Sequence, residues 1–109
     1  MNVELIPAGR EDERRYLIRA DGRHAGGITV HSVRGDAFSY GIAVAPQKRR
    51  AGVASAALLA LFERMRAQGF ARAVARARED NAASLALHRK LGFRETLRED
   101  GVVTLERAL

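Results

Sequence analysis

The chain has 109 residues, 47 % hydrophobic and 29 % charged, with a net charge of +6 and no cysteine. That length holds one small core and excludes a second, the hydrophobic content excludes a disordered chain, and the missing thiols exclude disulfides, thiolate metal sites and a cysteine nucleophile. No apolar run approaches the roughly 20 residues of a membrane span and no leader pattern opens the chain, so the expected compartment is the cytoplasm; the dispersed positive charge favours anionic partners without selecting nucleic acid.

Residues 3 to 7 (VELIP) read as a short strand ended by Pro7, followed by a polar loop. Strands over 14 to 20 and 23 to 32 flank Asp21-Gly22, a dipeptide suited to the positive φ angles of a tight hairpin turn. A further turn at Arg34-Gly35-Asp36 leads into AFSYGIAV, residues 37 to 44, before Pro46. From Val53 to Gln68, the apolar residues Val53, Ala57, Leu61 and Met65 recur at every fourth position, and Gly69 closes a helix. FARAVARAR alternates strictly and is a strand over 70 to 78 despite the helix preference of alanine. Asp80 or Asn81 caps a second helix closed by Gly92, and the last segment is a hairpin turning at Asp100-Gly101. The order β-β-β-β-α-β-α-β-β predicts an α+β (mixed α/β) domain with a mixed, mostly antiparallel twisted sheet.

Two stretches carry candidate chemistry. In QKRRAGVAS, the cations Lys48, Arg49 and Arg50 stand where a helix begins, a place already electropositive through its unpaired N–H groups. Small residues at Ala51, Gly52 and Ala54 permit a ligand to approach that backbone, so the junction is a candidate anion cradle, with a solvated basic loop as the alternative. On the second helix, Asn81, Ser84 and His88 share one face as a polar line, and Ala83, Leu87 and Leu91 share the face expected to pack.

With these residues in this order, the chain resembles the GCN5-related N-acetyltransferases (GNAT) over residues 14 to 109. The resemblance rests on IAVAP, on Arg49-Arg50-Ala51-Gly52-Val53-Ala54 as a match to the family's pyrophosphate loop, on REDNAASLALHRKLGF and on the closing hairpin. It implies one GNAT-like domain over 1–109 that uses acetyl-CoA as co-substrate, requires no metal and acetylates an amine directly. It implies that the backbone of Ile42, Ala43 and Val44 pairs with the pantetheine where two strands splay. It implies further that N–H groups from Arg49, Arg50, Ala51, Gly52, Val53, Ala54 and Ser55 hold the pyrophosphate, with Asn81 and Ser84 near the pantetheine.

The chemistry needs a neutral amine, a donor to the thioester oxygen and a proton for the departing thiolate. A backbone N–H near Val44 is the expected donor. His88 stands where many members of the family carry a tyrosine acid, which makes it the candidate acid. No carboxylate occupies Phe38-Ser39-Tyr40, so Tyr40, His31 and Glu79 are the candidate bases, with water as the alternative. Members of the family usually carry a helical pair after the first strand, where this chain has only Ala8 to Glu13. The uncovered sheet implies a homodimer. A non-catalytic acyl-CoA-binding module is the second reading; nucleic-acid binding ranks lowest, because no stacking aromatics or recognisable motif accompany the charge.

Overall fold

Strict alternation and Asp-Gly turns build most of the sheet. A computed structural model describes residues 1–10, 14–46 and 52–109. β1 (Val3–Ala8), β2 (Arg15–Ala20), β3 (Arg23–Arg34) and β4 (Ala37–Val44) form an antiparallel meander. At its first tight turn Asp21 and Gly22 have φ of 51° and 79°, and Asp100 and Gly101 repeat the geometry with 51° and 76°. Both pairs meet the positive φ that matches a two-residue turn to the twist of its strands.

Helix α1 (Val53–Ala67) follows, then β5 (Arg72–Arg78), α2 (Ala82–Lys90), β6 (Arg94–Glu99) and β7 (Val102–Ala108), the order expected from the sequence. The seven strands form one sheet in the order β1-β2-β3-β4-β5-β7-β6, in which β4 and β5 are the parallel neighbours. Their ladder is short: Ala37↔Arg72, Phe38↔Ala73 and Ser39↔Val74, after which the two strands part. Tyr40 to Val44 continue to pair with β3 on the other side.

One face of the sheet holds the core. Ile18, Ile28, Phe38, Tyr40, Ala75, Val103 and Leu105 point into it from five strands, and α1 adds Val53, Ala57, Leu58, Leu61, Phe62 and Met65. Both helices lie on this face, since Phe62 of α1 and His88 of α2 each pack on Tyr40. Ala73, Ala75 and Ala77 of β5 are buried there, and their small size lets α2 lie against the strand. Burying the alternate positions of β5 outweighs the helix preference of alanine, because packing rather than propensity decides a half-buried strand.

The other face carries no helix among the described residues. The connection from β1 to β2 spans only residues 9–14, too short for a helical pair, as the sequence implied. This face therefore presents Leu17, Thr29, Ser39, Gly41 and Val74 together with the arginines of β5. The outer strand β6 is exposed throughout and alternates charges along RETLRE, which discourages edge-to-edge pairing. Among the described residues no helix is long and apolar enough to cross a membrane.

Candidate active site

The site is the gap left where β4 and β5 part. Beyond Ser39↔Val74 the two strands no longer pair, so a cleft opens along Tyr40 to Val44. Ile42 and Val44 are half-buried and Ala43 is exposed, which puts this length of backbone within reach of an extended ligand.

The second element of the site is the start of α1, which Gly52 caps in the left-handed region with φ of 78°. Among the described residues no side chain caps this helix, and no acidic residue lies in its first turn. The usual local partners of the first N–H groups are thus missing, and an anion is the natural complement. Val53 is buried and fixes the helix start against the core, whereas Ala54 and Ser55 are half-buried. Lys48, Arg49, Arg50 and Ala51 lie outside the described residues. A side chain at 52 would be strained by the backbone alone, since its Cβ would meet only Met1 at 3.6 Å.

The second helix packs in part as expected, since Leu87 and Leu91 rest half-buried against the core. Leu85 and His88 are its buried residues and Ala83 is exposed, so the face that packs includes the end of the polar line. Asn81 is exposed at the N-cap and accepts a hydrogen bond from Ser84 N–H at 3.1 Å. Ser84 is half-buried, and His88 is only 4 % exposed. The imidazole can be buried because both of its nitrogens have partners. Nδ1 lies 2.8 Å from the Ser84 carbonyl oxygen, which can only accept, so Nδ1 carries the proton. Nε2, 3.0 Å from the Tyr40 hydroxyl, then accepts from the phenol. Phe93 closes the imidazole edge-on at 5.0 Å, and Phe62 packs on Tyr40.

Burial lowers the His88 pKa below its ordinary value, and the bond to the Ser84 carbonyl offsets this only in part. Burial also raises the Tyr40 phenol well above the usual tyrosine range, against the opposing charge of Arg107. The pair is a neutral hydrogen-bonded unit under the cleft. An acid at 88 needs the imidazolium, the form that burial disfavours. A base at 40 needs a phenolate, which is disfavoured more strongly still.

His31 occupies a different setting. It is the extra residue of a β-bulge, since Val30 pairs with Tyr40 and Ser32 with Ser39. Its exposed side chain lies across Gly41 on the open face, so close that a Cβ at 41 would meet Nε2 at 2.5 Å. Glu79, the remaining candidate base, faces Arg98 of β6 at 3.5 Å. Alternation in AFSYGIAV placed Tyr40 inward beside Phe38, a signal that it is a core residue; nothing local revealed His88 as its partner.

The family model for the acetyltransferase (GNAT) family matches residues 3–93. The chain belongs to the GNAT acetyltransferase family. It is thus an N-acetyltransferase of a CoA-binding family. The ribosomal-protein-S18-alanine N-acetyltransferase of Escherichia coli is 25 % identical, with a TM-score of 0.77 over 92 % of this chain and 71 % of that one. The PaiA N-acetyltransferase of Thermoplasma acidophilum, solved with coenzyme A, is 14 % identical with a TM-score of 0.79; 87 % of this acetyltransferase and 60 % of that chain are covered. An IAA acetyltransferase of Bacillus cereus is 18 % identical, with a TM-score of 0.79 over 99 % of both chains, so a fold of this short form has a counterpart. No curated protein matches the chain significantly.

Proposed function

We propose that residues 1–109 form one catalytic domain that transfers the acetyl group of acetyl-CoA directly to a primary amine. The observation that carries this reading is the parting of β4 and β5 after Ser39↔Val74, in a family chain whose α1 begins at a left-handed glycine with no side-chain cap among the described residues. The backbone of Ile42, Ala43 and Val44 lines the pantetheine, and the N–H groups of Gly52, Val53, Ala54 and Ser55 hold the pyrophosphate together with Arg49, Arg50 and Ala51. Asn81 and Ser84 flank the same arm, Asn81 through the part of its amide that capping leaves available. Acetyl-CoA supplies the activated thioester.

The open face is the acceptor side. The amine nitrogen attacks the thioester carbonyl carbon as the C–S bond breaks, and its proton passes to His31 Nε2. Of the three candidate bases, His31 is on the open face and beside the cleft; Tyr40 is buried with its proton directed at His88, and Glu79 is paired with Arg98. The thiolate of a thiol with a pKa near about 8.5 departs without obligatory help from an acid. His88 is then a positioning residue that fixes the Tyr40 ring beneath β4, in place of the acid expected from the sequence.

A homodimer fits through the apolar part of the open face around Leu17, which is 44 % exposed, and Ala43. This leaves the arginine-bearing part of that face accessible. The expected cytoplasmic setting accords with acetyl-CoA as co-substrate. Thiol release from acetyl-CoA across a panel of amines, with CoA binding measured in parallel, tests the reading. Turnover on at least one amine is expected, whereas binding with no turnover on any would make the chain an acyl-CoA-binding module.

A further inference from the structure

The open face carries a depression of about 220 Å³ at the point where β4 and β5 part, with Ser39 and Val74, the last ladder pair, among its lining residues. Three guanidinium groups line it, from Arg34, Arg72 and Arg76, against the single carboxylate of Glu106. Arg72 is occupied, 3.5 Å from Glu106 and 3.8 Å from Asp36. Arg34 and Arg76 have no carboxylate partner among the described residues and are exposed. Arginine presents a planar fork of donors matched to a carboxylate, so two unpaired forks in one concavity favour an anion there. Ser39 and Gly41 are neighbouring positions on the same side of β4, and His31 lies over Gly41, so the depression adjoins the proposed base.

We infer that this depression selects the acceptor, and that the preferred acceptor is an amine that also carries a carboxylate, held by Arg34 and Arg76 while its amino group is presented beside Gly41. The inference rests on the acetyl-transfer reading above and adds the class of the acceptor. Free amino acids and the acidic amino termini of peptides share this chemistry.

The test compares glutamate, a tetrapeptide with aspartate as its second residue, and spermidine as an amine without a carboxylate. Each is measured by kcat/KM and by calorimetric titration into the CoA-loaded protein, for the wild type, Arg76→Gln and Arg76→Lys. Carboxylate-bearing amines are expected to outperform spermidine, and R76Q should lower that selectivity by about tenfold, the size of one charge-assisted hydrogen bond, with R76K retaining part of it. The better of glutamate and the peptide separates a free from a chain-borne acceptor. Absence of turnover on every amine would defeat the acetyl-transfer reading alone, because the titrations still show whether carboxylates bind through Arg76. Preference for spermidine, or selectivity and carboxylate binding unchanged in an R76Q protein with wild-type melting temperature, overturns the proposal. So does a dimer that R76Q converts to monomer in sedimentation while selectivity stays intact, since a second copy would then occupy the depression.

Discussion

The two faces of the sheet are made from the same strands, one residue out of step. On the helix-covered face β4 presents Phe38 and Tyr40, and on the open face Ser39 and Gly41; on β5 the same alternation sets Ala73, Ala75 and Ala77 against Arg72, Val74 and Arg76. On the covered face the buried His88 and Tyr40 are matched to each other and to the Ser84 carbonyl, and no fully buried side-chain N or O among the described residues lacks a partner. On the open face histidine, hydroxyl and guanidinium groups remain available to a ligand. A face released from packing can carry chemistry, and a packed face accepts an imidazole only where both of its nitrogens find partners.

The sharpest way to break the comparison is at the site where the faces meet. Gly52→Val is expected to weaken CoA binding by more than a hundredfold in calorimetry, because a β-branched residue is strained at φ of 78° and obstructs the cradle. Lys48→Ala should cost only a fewfold. Next in size, on the open face, His31→Gln should lower kcat/KM by about a hundredfold, the usual worth of general base catalysis. A rate unchanged in that variant would leave water as the base.

Stability measurements sharpen the contrast further. Ala75→Leu on the covered face should cost about 1–3 kcal/mol in urea unfolding, since the space between β5 and α2 is filled. Val74→Thr, one residue away on the open face, should change stability by less than about 1 kcal/mol.

The smallest expected effect is a dependence on pH. Because His88 has a lower pKa folded than unfolded, the unfolded chain binds the extra proton first on acidification. The stability it contributes is complete above about pH 6.5, the unfolded value, and declines as pH falls toward the lowered folded value. Tyr40 gives the mirror image, a loss that begins above about pH 10, where the unfolded phenol ionises. His88→Phe should flatten the acid limb, and a limb of undiminished slope would assign it to other groups.

Most of the architecture was legible because its signals are local. Asp21-Gly22, Asp100-Gly101, the alternation of FARAVARAR and the four-residue spacing from Val53 to Met65 each specify an element without reference to the rest of the chain. The missing helical pair was equally plain from the few residues between Ala8 and Arg15. The packing of Leu87 and Leu91 was legible on α2, but the burial of His88 was not, because the line Asn81, Ser84, His88 is polar, and polarity predicts solvent only when no buried partner waits. That partner is Tyr40, 48 residues away and brought in by the crossover through α1. His31 was one of three possible bases until the β3 bulge turned it over Gly41, a displacement set by register rather than by residue type. The depression at Arg34, Arg72 and Arg76 is lined from four strands and had no linear signature at all.

The brevity of the β4–β5 ladder has a consequence for how the molecule holds together. The first four strands form a run of local hairpins, and β5, β7 and β6 form a second group; three parallel pairs between residues far apart in sequence join the two in the plane of the sheet. The aromatic contacts of Tyr40, Phe62, His88 and Phe93 fasten the same halves from above. The seam is therefore a hinge riveted on one side, able to yield without undoing a single hairpin. Amide exchange should be fastest along this line among the central strands, and any molecule that lodges in it acts as mortar, raising the melting temperature in proportion to the logarithm of its concentration.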